Sequence, residues 1–129
     1  MKFGYVILYV KDVKSALDFY EKAFGLKRGF IMETGQYAEM VTGDTKLCFA
    51  DAQFAKPENL EFHANGLDKP AAPIEIAFVT DDLESAYQRA INAGCKSILK
   101  PTQKPWGQEV SYVRDINGFL VEICTPVSG

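Results

Sequence analysis
The sequence predicts an α+β fold, built from two tandem βαβββ modules. Three observations predict it. Residues 5–17 align with residues 75–87 at a constant offset of 70, matching Asp12 to Asp82, Ser15 to Ser85 and Ala16 to Ala86. Each copy contains one helical apolar stripe followed by three short alternating segments. The chain has 129 residues, 47% hydrophobic and 24% charged, which suits one ordinary globular domain with a real core.

The elements follow in order. Residues 5–10 alternate as a strand, with Val6, Leu8 and Val10 toward a helix and Tyr5, Ile7 and Tyr9 on the other face. Asp12 stands where a helix needs an N-cap. Val13, Ala16, Leu17, Tyr20 and Phe24 then recur at three- and four-residue spacing, and Gly25 closes the helix. Residues 27–33, 37–41 and 45–50 read as strands separated by turn signals. The second copy repeats the plan. Residues 75–79 form a strand, Asp82 caps a helix bearing Leu83, Ala86, Tyr87, Ala90 and Ile91, and Gly94 ends it. Strands follow at 97–100, 109–114 and 119–124, with a turn at 115–118. Module 1 therefore covers about residues 1–51 and module 2 about 74–126. Residues 52–73, with Pro57, Pro70 and Pro73 and little periodicity, read as a linker or mobile flap.

Composition excludes several function classes. A net charge of −3 without a basic stripe argues against nucleic acid. No apolar run approaches the roughly 18 residues of a membrane span, and residues 1–10 lack a signal-peptide cleavage pattern. Cys48, Cys95 and Cys124 are odd in number and widely spaced, which predicts free thiols in a reducing cytoplasm. His63 is the single histidine, so one subunit cannot build a two-His or three-His zinc site. No Gly-rich pattern supports nucleotide binding.

The run Val10-Lys11-Asp12, then Phe19-Tyr20, then Phe24-Gly25-Leu26 opens a recognisable pattern. It closes with Pro105-Trp106-Gly107, Arg114-Asp115, Gly118 and Glu122. In order and spacing these resemble the vicinal oxygen chelate superfamily of glyoxalases, bleomycin resistance proteins and extradiol dioxygenases. The resemblance spans nearly the whole chain. It implies curled mixed sheets around a cup that binds a small molecule, and a homodimer. It also implies four metal-ligand positions, which fall on Tyr5, Cys48, Glu75 and Glu122. Those positions usually hold His or Glu; here two carboxylates remain and no imidazole.

Several readings follow as expectations. The first is a metal-independent binder of a small organic molecule, with no cofactor. The second is a metal-dependent lyase, isomerase or dioxygenase, with Glu75 and Glu122 weakly holding Mg2+ or Mn2+. The third is a structural or regulatory module with an empty cup. Glu75 and Glu122 are the catalytic candidates: adjacent carboxylates would repel, one would hold a proton, and it could act as a base or as a hook for a cation. Tyr5, Tyr9, Cys48, Trp106 and Arg114 join them as ligand-binding candidates. Trp106 suits an aromatic wall and Arg114 an anionic group or a nearby acid such as Asp115. Tyr37 and Tyr112 can line the cup or pack in the core.

Overall fold
The computed structural model describes residues 1–127. The chain divides into two compact units, Met1–Ala64 and Asn65–Gly129. In the first, β1 (Tyr5–Val10), β4 (Lys46–Asp51), β3 (Tyr37–Val41) and β2 (Lys27–Ile31) form one sheet in that order. β1 runs parallel to β4 and the other pairs are antiparallel. The second unit repeats the arrangement with β5 (Glu75–Val79), β8 (Leu120–Cys124), β7 (Glu109–Arg114) and β6 (Lys96–Gln103).

Each sheet carries its own helix on one face. Helix α1 (Val13–Phe24) begins where the Asp12 carboxylate accepts from the Ser15 N–H, and α2 (Leu83–Ala93) begins likewise at Asp82 and Ser85. These bonds satisfy N–H groups that the first turn leaves without helical partners. The apolar stripe of α1 packs on β2, β3 and β4. Tyr20 is fully buried there, its ring 4.9 Å from those of Phe24 and Phe49. In the second unit Leu83, Tyr87 and Ala90 are the buried residues of α2, which packs on β6, β7 and β8. Arg28 of β2 pairs with Asp18 and Glu21 of α1, tying the edge strand to the helix.

Two local features extend the sequence reading. Strand β6 runs from Lys96 to Gln103, past the predicted end at residue 100 and through Pro101. It is an edge strand, and an edge tolerates the N–H that proline lacks. Residues 52–73 are shared between the units. Ala52–Ala55 forms a short 3-10 helix in the first, and the Phe62 ring stacks on Tyr9 with centroids 5.0 Å apart. From Asn65 onward the segment is seated in the second unit. The Gly66 carbonyl accepts from Arg114 at 2.9 Å, and the Asn65 side chain accepts from the Ala72 N–H at 3.2 Å.

Candidate functional site
In the second unit the sheet face turned away from α2 collects the polar side chains. Ala77 is paired with Glu122 across β5 and β8, and Glu122 with Tyr112 across β8 and β7. Because strand side chains alternate, Glu75, Glu122, Tyr112 and Cys124 project on that one face. Glu75 and Glu122 lie within hydrogen-bonding reach of each other. Desolvation, and then the neighbouring Glu122 charge, raise the Glu75 carboxyl above its ordinary value of 4.5. The Tyr112 phenol is pushed up to about 12, chiefly by its hydrogen bond to Glu122. The Cys124 thiol is pushed up to about 11, first by burial and then by Glu122. The group can hold a proton between two carboxyls, and it offers acceptors to a ligand's N–H or O–H groups.

This geometry fixes a pH sign. A carboxyl whose pKa is raised by folding contributes fully below its unfolded value, and that contribution is lost as pH rises through the folded value. Glu75→Gln is therefore expected to raise the melting temperature at pH 7, with the gain vanishing near pH 4. Glu75 is exposed, so solvent screening keeps the gain below about 1 kcal/mol. Paired melting curves at the two pH values check it; a variant less stable at pH 7 than wild type would show that the pair does not repel.

Trp106 stands on the turn between β6 and β7, 60% exposed. Its Nε1–H donates to Gln108 Oε1 at 2.8 Å, and Gln108 Nε2–H donates to the Thr125 carbonyl at 2.9 Å. The Gln108 side chain also reaches the Cys124 thiol, which in turn meets Glu122.

The first unit treats the equivalent face differently. Ile7, Cys48 and Glu39 form one row across β1, β4 and β3. The carboxylate thus lies one strand over from where module 2 carries Glu122. Glu39 accepts from Lys46 Nζ at 2.9 Å and from the Tyr37 hydroxyl at 3.0 Å. The Lys46 ammonium holds the Glu39 carboxyl below its usual range. Tyr37 also lies 3.2 Å from Cys48 Sγ. Cys48 is fully buried, and burial pushes its thiol up, so a ligand on this face meets Tyr37 rather than the sulfur. Tyr5 is exposed beside Lys46, and Tyr9 is covered in part by Phe62.

The structure brings Glu75 and Glu122 together and links Trp106 to them through Gln108 and Cys124. Tyr5, Tyr9 and Cys48 share the open face of the first unit. Arg114 is committed elsewhere. It is buried, and its Nε–H and Nη2–H donate to the carbonyls of Gly118 and Gly66. Those two bonds hold backbone where an anion-binding role would leave the guanidinium open. Glu39, Lys46 and Gln108 were not singled out from sequence. Glu39 shares the register row of Cys48, a signal that strand pairing supplies; Gln108 has no comparable signal. Among the described residues no group of three or more His, Cys, Asp or Glu side chains is placed to hold a metal ion. A hard divalent ion seeks about six oxygen donors, and the Glu75–Glu122 pair brings two side chains toward that set.

The profile of the Glyoxalase/Bleomycin resistance protein/Dioxygenase superfamily matches residues 2–123. The chain belongs to this superfamily. The Bacillus subtilis (strain 168) protein YraH is 26% identical over 130 residues, covering 95% of this chain and 97% of that protein. Among solved structures, a glyoxalase-related enzyme from Fulvimarina pelagi shares the fold with a TM-score of 0.83 at 16% identity, covering 98% of this chain and 88% of that one. A Burkholderia phytofirmans PsJN enzyme of the glyoxalase/bleomycin resistance protein/dioxygenase family has a TM-score of 0.81 at 17% identity, covering 99% and 100%. Membership of the superfamily accounts for the repeated module order seen here.

Proposed function
We propose that this superfamily member binds a small organic molecule directly, without a resident metal ion, and that Glu75 and Glu122 are its polar anchor. The observation that carries the reading is the donor set: among the described residues no third His, Cys, Asp or Glu stands with the pair to complete a metal site. Desolvation and the Glu122 charge raise the Glu75 carboxyl, so the pair can offer both an acceptor and a donor to an organic ligand. The ligand places a hydrogen-bond donor on the pair and a flat portion beside Trp106.

A second reading is a metal-dependent lyase, isomerase or dioxygenase. It is favoured by one feature: both carboxyls stand within reach of each other on the adjoining first and last strands of module 2. Metal analysis of protein purified without chelator separates the two, with Glu122→Gln alongside. Substoichiometric metal in both proteins is expected. Stoichiometric Mg2+ or Mn2+ in the wild type, lost in Glu122→Gln, would establish the second reading instead. Three buried free thiols support a reducing cytoplasm as the proposed compartment. Among the described residues no helix is long and apolar enough to cross a membrane. A homodimer is the proposed assembly, on the superfamily resemblance.

A further inference from the structure
We propose that Gln108 is a positioning residue that makes Trp106 a preformed stacking platform for a flat aromatic or heteroaromatic ring. The proposal rests on the binding reading above and names the ring chemistry of that site. An exposed indole on a turn ordinarily samples several rotamers, because little packing holds it. Here the ring is 60% exposed and yet its one polar atom is fixed at 2.8 Å.

The fixing group is itself over-determined. Gln108 is 8% exposed, and a buried amide needs partners at both ends. Its NH2 end is taken by the Thr125 carbonyl, so its oxygen can face only the indole. The turn beneath is closed by the Lys104 N–H donating to the Gln108 carbonyl at 2.7 Å and the Gly107 N–H donating to the Lys104 carbonyl at 2.9 Å. Ordering a large aromatic surface before binding removes that entropic penalty from the binding step. Gln108 also reaches the Cys124 thiol and through it Glu122, so a run of side-chain hydrogen bonds joins the ring to the polar anchor. A flat ring carrying an N–H donor fits both.

The chain's single tryptophan makes the test direct. Time-resolved fluorescence anisotropy of the free protein is expected to show Trp106 moving with the whole molecule. Gln108→Leu should add a fast local decay while its far-UV circular dichroism stays that of the wild type. The unchanged dichroism separates positioning from misfolding. The ligand arm uses 9-aminoacridine, followed by its own emission. Gln108→Leu should weaken it about tenfold in the wild-type background, in the range of one ordinary hydrogen bond. In Trp106→Phe, where the N–H is already gone, the same substitution should change it by less than about twofold. Equal weakening in both backgrounds, an unchanged anisotropy decay in Gln108→Leu, or no binding of 9-aminoacridine to the wild type would each overturn the proposal. Failure of the metal-free reading shows separately, as probe binding abolished by a chelator while the anisotropy results stand.

Discussion

Replacing Gly118 with alanine is expected to destabilise the second module by roughly 2–4 kcal/mol. Two independent causes act together. Gly118 has φ +83, a left-handed conformation that a side chain strains. The new Cβ would also lie 2.6 Å from the Gly66 carbonyl carbon and 2.8 Å from Arg114 Nη2. Backbone cannot yield as a flexible side chain can, so the Gly66 segment must lift away. Arg114 then loses an acceptor and is left partly unpaired in a buried setting. Urea unfolding should show a lower midpoint with an unchanged slope. Limited proteolysis should find new cleavage near residues 66–72. A midpoint within about 1 kcal/mol of wild type would show that the close approach of the two glycines is not stabilising.

Asp115→Ala is expected to cost about 2–4 kcal/mol, while Asp115→Asn costs about 1. Asp115 is fully buried, and one carboxylate oxygen accepts from both the Asn117 and the Phe119 N–H at 2.8 Å. Alanine leaves two backbone donors without that acceptor in a dry site. Asparagine can aim its single carbonyl oxygen at both and so preserves the turn. Equal losses in the two variants would mean that the second carboxylate oxygen, or the charge itself, is what the turn requires. The turn matters beyond stability because it seats Arg114 and Gly66, and with them the chain entering β5.

Much of the fold was legible in the sequence because its signals are local. Asp12 and Asp82 cap their own helices through residues three positions on, so spacing alone reveals them. The duplication places eight strands by analogy where a single copy would leave several ambiguous. Of the candidate site, alternation assigned Glu75 and Glu122 to one sheet face, and the structure places both there. What remained hidden depends on register between strands. Lys46 neutralises Glu39 from the neighbouring strand, and Tyr37 reaches across to cover Cys48. Arg114 looked like a ligand-binding cation because its acceptors are backbone carbonyls, one of them 48 residues away and invisible to any side-chain pattern. Gln108 was hidden for the same reason, since one partner is the carbonyl of Thr125.

The unequal treatment of the two acidic faces has a consequence for how the chain responds to mild acid. In the first unit, protonating Glu39 breaks its attraction to Lys46, so falling pH weakens that half. In the second, protonating Glu75 relieves its repulsion from Glu122, so the same change strengthens the other half. In a melting curve of the whole protein the two trends fall in different windows: relief at Glu75 comes first, above its ordinary value of 4.5, and the loss at Glu39 follows below it, where Asp12, Asp18 and Glu21 act in the same sense. Removing one partner at a time, with Lys46→Met and Glu75→Gln, would separate two acid responses of opposite sign within one chain.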